Sequence, residues 1–407
     1  MRTFIFIALL FATGTVWAND TRYHVKNIPE NLLKKANAVK RMEEVRFEVV
    51  SLKETILTKR YVITVLNEGG DSHAAFREYY DKLRTVKSAQ GILYDTAGNA
   101  IKKIKFKDMS DTKVIDGMSM LDDGRVKSHN FHHRSYPYTV EYEVEIKHNH
   151  TYYLDSWSPQ DAANLSVEQS RYVLVSPQDY QVRYKSFNCK ETIDASPEKE
   201  KKVIEWKVNA LPAFVRPFAS PVWTELTPVV LLAPSEFYID NYKGNMSQWS
   251  DLGRVQSELN KGRDKLPDDV VQKAQAIVAP LKTDAEKVKA LYTFMQKNTR
   301  YISIQLGIGG WQPFEAAFIA QKGYGDCKGL SNYMYSLLKS VGIRSHYAII
   351  RAGRAKEDRF ITEDFPSKQS NHVVLCVPMQ KDTMWLECTS QTDPAGYMGS
   401  FTGNRKA

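Results

Sequence analysis

The sequence predicts a two-domain protein, an N-terminal antiparallel β-sandwich followed by an α+β domain. Three observations carry that expectation. From Val45 to Trp206 short alternating apolar stretches recur between turn signals. A proline-rich segment, Leu211–Pro234, then interrupts the pattern. From Ser247 onward the apolar period changes from two to the helical spacing. The break falls near residue 245, so the expected division is 19–245 and 246–407, behind a leader at 1–18.

The leader is read from Met1-Arg2, the apolar run Phe4–Phe11 and Val16-Trp17-Ala18, with cleavage expected after Ala18. The run is too short to span a bilayer, and no later stretch supplies the roughly 18 apolar residues that a membrane helix needs. No cysteine stands near the cleavage site, so no lipid anchor is expected. The mature chain is therefore expected to be exported, periplasmic or secreted, without a transmembrane segment. At 407 residues, 43% hydrophobic and 25% charged, it can build real cores in both domains. The formal charge of +9 is spread along the chain, and an exported location argues against nucleic acid as a partner.

Pro29–Val39 is read as a short helix with Leu32, Leu33 and Ala36 on one side. Arg60–Leu66 alternates and ends at the turn signal Asn67-Glu68-Gly69-Gly70. Val86–Tyr94 and Ala100–Phe106 flank Asp95–Asn99, a hairpin-like turn. The interleaving of Lys102, Lys103, Lys105 and Lys107 with apolar residues marks an edge strand. Tyr138–Ile146 sets Tyr138, Val140, Tyr142, Val144 and Ile146 on one face and three glutamates on the other. Arg171–Val175, Gln181–Asn188 and Lys202–Val208 continue the strands. Past Ser247, three helical stripes follow: Trp249, Leu252, Val255 and Leu259; then Val270, Ala274, Ile277 and Val278; then Val288, Leu291, Tyr292 and Met295. Strands are expected over Ile343–Arg351, Asn371–Pro378 and Thr383–Thr389.

The candidate chemistry centres on Gly323–Ser331. Asp326 is a suitable N-cap for a helix carrying Leu330, Tyr333, Met334, Leu337, Leu338 and Val341 and closed by Gly342. Cys327 then lies in the first turn, where free N–H groups and the helix dipole favour a thiolate. Such a nucleophile needs a base, and the base needs an orienting group. His346 reads as an ordinary strand histidine, whereas His372 opens a strand after a polar run. If that strand and Thr383–Thr389 form a hairpin centred on Gln380, opposed residue numbers total about 759 or 760. His372 then faces Glu387 or Cys388, with Cβ atoms roughly 4.5–5.5 Å apart. Asp393, in the following turn, is a fallback orienting acid. Besides the Cys327 backbone N–H, Gln321 and the Trp311 indole are candidate oxyanion donors.

Four cysteines without a CxxC pair argue against a disulfide framework or a zinc ribbon. His129, His132, His133, His148 and His150 lack partner ligands at zinc-like spacing, so no metal and no cofactor is expected. The aromatics Tyr136, Tyr138, Tyr142, Tyr152, Tyr153 and Trp157 read as sandwich core and rim, with a peptide or glycan groove as the alternative.

Gly325-Asp326-Cys327-Lys328, Asn371-His372-Val373 and Trp385-Leu386-Glu387-Cys388-Thr389 together resemble the transglutaminase-like core of the papain-like cysteine superfamily. Arg300–Ser303 and Gly309–Pro313 agree with it. With Ile28-Pro29, Tyr136-Pro137-Tyr138 and Trp157–Gln160, nearly the whole chain resembles bacterial proteins that join a DUF3857 domain to that core. The resemblance implies Cys327 as nucleophile, His372 as general base and acid, and Glu387 where an aspartate is usual. It implies acyl transfer through a thioester on a protein, peptide or envelope-polymer substrate, with hydrolysis favoured over amine transfer. The alternative is a non-catalytic peptide- or glycan-binding protein on a degenerate scaffold. Relatives often continue into a further β domain, so a shortened chain is expected here.

Overall fold

The computed structural model describes residues 21–114, 119–194, 200–305, 307–353 and 361–407. The leader expected at 1–18 lies outside the described residues. The N-terminal half is organised on an eight-stranded sheet. From one edge the strands run Glu191–Asp194, Lys201–Leu211, Leu165–Pro177, Ala38–Ser51, Glu54–Val65, Tyr138–His148, Arg84–Tyr94 and Ala100–Lys105. Neighbours pair antiparallel except at the centre, where Ala38–Ser51 runs parallel to Leu165–Pro177, with Ala38 beside Leu165 and Glu48 beside Val175. The lysine-bearing strand Ala100–Lys105 is at an edge, where exposed ammonium groups discourage a further strand from pairing.

Two smaller sheets belong to the same core. One orders Phe76–Tyr80, Arg125–His129 and Ser110–Lys113; the other pairs Val182–Phe187 with Val229–Pro234. Phe47, Tyr142, Ile146, Leu174 and Trp206 of the large sheet pack with Phe76, Val182, Val230 and Leu232 of the small ones. The alternation of Tyr138–Ile146 explains this: its five apolar residues are all buried, while Glu143 and Glu145 are exposed. Glu141 on the polar face is also buried, and it is held there by Arg60 at 2.7 Å and the Tyr94 hydroxyl at 2.5 Å.

Two stretches differ from expectation. The helix read over Pro29–Val39 is only Glu30–Leu33, and Ala38 already pairs with Val65 on one side and Leu165 on the other. A backbone bonded on both sides outweighs helical spacing over so short a segment. The proline-rich stretch is not irregular throughout, because Val229–Pro234 is a strand. Its prolines lie before the strand and at its last residue, where no central ladder bond is lost.

The C-terminal half places helices Trp249–Asn260, Asp268–Val278 and Asp284–Asn298 before the helix Cys327–Ser340. An antiparallel sheet follows, ordered His346–Ile350, His372–Pro378, Thr383–Leu386. Leu330, Met334 and Leu337 of the cysteine helix share a core with Leu375, Val377 and Leu386 of that sheet and with Leu291, Tyr292 and Met295. This packing fixes the start of the helix against the start of the His372 strand.

The halves are joined by backbone as well as side chains. Ser303–Gln305 pairs in parallel with Ser119–Asp122. One guanidinium nitrogen of Arg183 donates to the carbonyls of Met246 at 2.7 Å and Pro366 at 2.6 Å, and Lys185 pairs with Asp364. Leu83, Phe237, Met246, Leu252 and Phe365 form a further apolar cluster across the joint.

Gly91 makes room for the Tyr142 ring of the neighbouring strand, since a Cβ there would stand 2.6 Å from it. Gly91→Ala is expected to destabilise the fold by roughly 1–3 kcal/mol through overpacking. Urea denaturation should show the midpoint falling with an unchanged slope.

Candidate active site

Three glycines shape the approach to Cys327. Helix Ala316–Lys322 ends on Gly323, whose φ of +71° is the left-handed cap conformation. Tyr324-Gly325 then pairs with Arg300-Tyr301, which aims the chain at the next helix. Gly325 and Gly329 both lie against Ile319; a Cβ on them would stand 2.6 Å and 3.1 Å from its terminal methyl. Asp326 caps the helix as its spacing predicts, its Oδ1 accepting the Gly329 N–H at 2.8 Å. Its other oxygen pairs with the buried Lys328 ammonium, so the carboxylate does not leave an uncompensated charge beside the thiol. Cys327 is 8% exposed.

His372 and Glu387 meet at 2.8 Å between Nε2 and Oε2, both buried. Cys327 stands beside His372, and the two line one cavity. Because Nε2 is engaged by Glu387, Nδ1 is left for the thiol. Burial opposes a charge on His372, but its interactions with Cys327 and Glu387 outweigh it and raise the imidazole from 6.5 to about 9. Burial likewise opposes the Glu387 carboxylate, yet His372 and Thr389 hold it below its ordinary value. The remaining oxygen of Glu387 accepts from the Thr389 N–H at 2.9 Å and the Thr389 hydroxyl at 2.5 Å. The Tyr292 hydroxyl donates to the Glu387 carbonyl at 2.6 Å, which fixes the backbone from the neighbouring helix.

The hairpin register differs from the expected one. Leu375 faces Leu386 and Val377 faces Met384, so paired numbers total 761, and the ladder stops at Leu386. Glu387 therefore does not lie directly opposite His372. A total of 761 has the same parity as 759, so extending the register puts Glu387 diagonally opposite His372 on the same face. Cys388 takes the other side and is fully buried. The carboxylate bonded to His372 is that of Glu387 and not of Asp393, whose backbone carbonyl accepts from Gln296 at 2.8 Å and whose backbone N–H donates to Ser390 at 3.0 Å. Gln321 is exposed on its helix, whose Ala316 and Ile319 take the buried side, so it is not brought to the thiol.

Cys327 and His372 open onto a cavity of about 530 Å³. Its C-terminal wall includes Trp311, Tyr347, Lys368 and Asn371, and its N-terminal wall includes Tyr79, Tyr80, Arg84, Tyr152 and Tyr153. The Trp311 ring stands edge-on to Tyr152 with centroids 5.4 Å apart. The aromatics named from sequence thus divide: Tyr138, Tyr142 and Trp157 are core, whereas Tyr152 and Tyr153 face the cavity. Tyr79, Tyr80 and Arg84 carry no sequence signal for a site, because only the tertiary joint brings them there. His148 and His150 are buried, and desolvation lowers both to about 3. Among the described residues no three metal-ligating side chains gather as a group.

Residues 54–215 match the domain of unknown function DUF3857, and residues 271–390 match the transglutaminase-like superfamily. The chain joins a DUF3857 domain to a transglutaminase-like domain. No curated protein matches it by sequence. Among solved structures it is similar to one from Parabacteroides distasonis, named "putative protease", at 12% identity and a TM-score of 0.65. That similarity covers 88% of this chain and 68% of the other. A second, from Cytophaga hutchinsonii and named "putative cysteine protease", has 8% identity, a TM-score of 0.25, and coverage of 86% and 83%. The first likeness shows that the DUF3857 and transglutaminase-like domains share its fold.

The buried pair in the transglutaminase-like domain links stability to pH. His372 holds its proton more tightly folded than unfolded, so its contribution is complete below pH 6.5 and is lost as pH rises through about 9. Glu387 acts in the opposite sense, and its contribution is lost as pH falls below its ordinary value of 4.5. Urea denaturation of the wild type at pH 6 and pH 10 should show a loss of about 3 kcal/mol attributable to His372. His372→Ala should flatten that part of the profile.

Proposed function

We propose that this protein is an exported cysteine hydrolase that cleaves amide bonds through a thioester on Cys327. The observation that carries this reading is Cys327 beside the Glu387-bonded imidazole of His372 on the wall of a substrate-sized cavity. In the proposed cycle the sulfur attacks the amide carbonyl carbon, and the carbonyl π electrons move to oxygen. As the oxyanion collapses, the C–N bond breaks and His372 gives its proton to the departing amine. Water then attacks the thioester as His372 takes its proton, and the carboxylic acid and Cys327 are released. Glu387 holds the imidazole in one tautomer and stabilises its cationic form.

Water is the favoured acceptor because it needs no second binding site, whereas amine transfer needs one beside the thioester. The competing reading, a binding protein with a degraded site, predicts that glutamate at 387 has disengaged from the histidine. The 2.8 Å contact supports the catalytic reading instead. Export rests on the apolar run Phe4–Phe11 with Val16-Trp17-Ala18. Among the described residues no helix is long and apolar enough to cross a membrane. A protein or peptide chain suits the cavity, whose tyrosine walls offer apolar faces with hydroxyl edges.

The test is a digest of denatured protein and of cell-envelope polymer, compared between wild type and Cys327→Ala by mass spectrometry. New carboxyl termini formed only by wild type are expected, and added amine mass at the same positions would instead indicate transfer. Products that persist in Cys327→Ala would sink the proposal. His372→Ala should slow cleavage by about 10²–10⁴-fold, the usual worth of a general acid–base. Glu387→Gln should slow it with the fold intact.

A further inference from the structure

Tyr347 belongs to the strand His346–Ile350, opposite Leu375 of the His372 strand. Leu375 packs into the core shared with the cysteine helix, so directly opposed Tyr347 occupies the sheet face turned toward that helix. Its side chain lines the cavity together with Cys327 and His372. The hydroxyl is buried and has no hydrogen-bond partner among the described residues. A buried hydroxyl without a partner costs free energy and needs an explanation. Desolvation, together with the nearby Cys327 and Asp326 charges, holds the phenol well above its ordinary value of 10. Throughout the working pH range it therefore keeps the proton it would donate.

We infer that the Tyr347 hydroxyl is an oxyanion donor, completing with the Cys327 backbone N–H the pair that stabilises the tetrahedral intermediate. This rests on the reading of Cys327 as an acyl-accepting nucleophile. A carbonyl oxygen gains charge only as the thiolate adds to it, and a neutral donor fixed on a sheet is suited to that moment. Gln321 cannot serve, being exposed on another helix. Trp311 lines the same cavity and is the internal competitor.

Two reagents separate the roles at Cys327 without knowledge of the substrate. p-Nitrophenyl acetate acylates a thiol through a tetrahedral oxyanion. Iodoacetamide alkylates it by displacement, with no oxyanion formed. Tyr347→Phe is expected to slow acylation of Cys327 by about 100-fold, within the range for loss of one oxyanion donor, and to leave alkylation unchanged. Its melting temperature should stay level or rise, because the hydroxyl removed had no partner to lose. Equal acylation rates in wild type and Tyr347→Phe would overturn the inference. So would parallel loss of both reactions, which would mean a damaged thiol–imidazole pair, or a selective loss in Trp311→Phe but not in Tyr347→Phe. Cys327→Ala and His372→Ala serve as the separate control. If wild type forms no acyl adduct at Cys327, the hydrolase reading itself fails and this inference falls with it. If those controls lose acylation while Tyr347→Phe acylates at the wild-type rate, this inference fails and the hydrolase reading stands.

Discussion

A carboxylate and an imidazole buried against each other are the constraint on which the C-terminal half depends. Either group alone would be costly in that position, because each has left water for a site with few compensating partners. Together they are satisfied: Glu387 uses one oxygen on His372 and the other on Thr389, and His372 stands beside Cys327. The pair also ties three elements together, since Tyr292 of the preceding helix fastens the carbonyl of Glu387. The cysteine helix, the His372 strand and the segment after Leu386 thus meet at one polar series beside the apolar core that packs their other residues.

Glutamate at this position has a geometric explanation in the register. The ladder ends at Leu386, and the extended pairing leaves Glu387 diagonal to His372. Diagonal neighbours on a sheet are roughly 7–8 Å apart, farther than directly opposed ones. The extra methylene of glutamate suits that longer reach, and its second oxygen still finds the Thr389 amide and hydroxyl. The departure from aspartate is therefore compatible with a fully engaged imidazole.

What was legible in the sequence follows from the range of the forces involved. The alternation of Tyr138–Ile146 and the cap–glycine pattern around Cys327 are local, and both elements formed where their residues predict. The pairing of His372 with Glu387 was legible through parity: an error of two in the register keeps the face, whereas an error of one would have substituted Cys388. Asp393 and Gln321 misled because chemical suitability says nothing of direction; Glu387 took the histidine in place of the one, and the other turned to solvent. The helix read at Pro29–Val39 yielded to a strand bonded on both sides, a long-range effect invisible to local spacing. The second wall of the cavity was hidden for the same reason, because Tyr79, Tyr80 and Arg84 are more than two hundred residues from Cys327.

That second wall changes what the N-terminal domain is for. Had the β-rich half been only an appended module, its contacts would be expected at the surface of the C-terminal half, away from the thiol. Instead its tyrosines line the cavity, and the joint is secured by a backbone ladder, a half-buried guanidinium of the N-terminal half bonded to two carbonyls of the C-terminal half, and a shared apolar cluster. Enclosure also matters to the chemistry, since charge interactions strengthen as water is excluded. The transglutaminase-like half supplies the thiol, imidazole and carboxylate, and the DUF3857 half supplies the partial enclosure that makes their placement effective. Under the proposed hydrolase reading, selection among substrates would belong to the joint between the halves, because aromatic side chains of both line the cavity with Cys327.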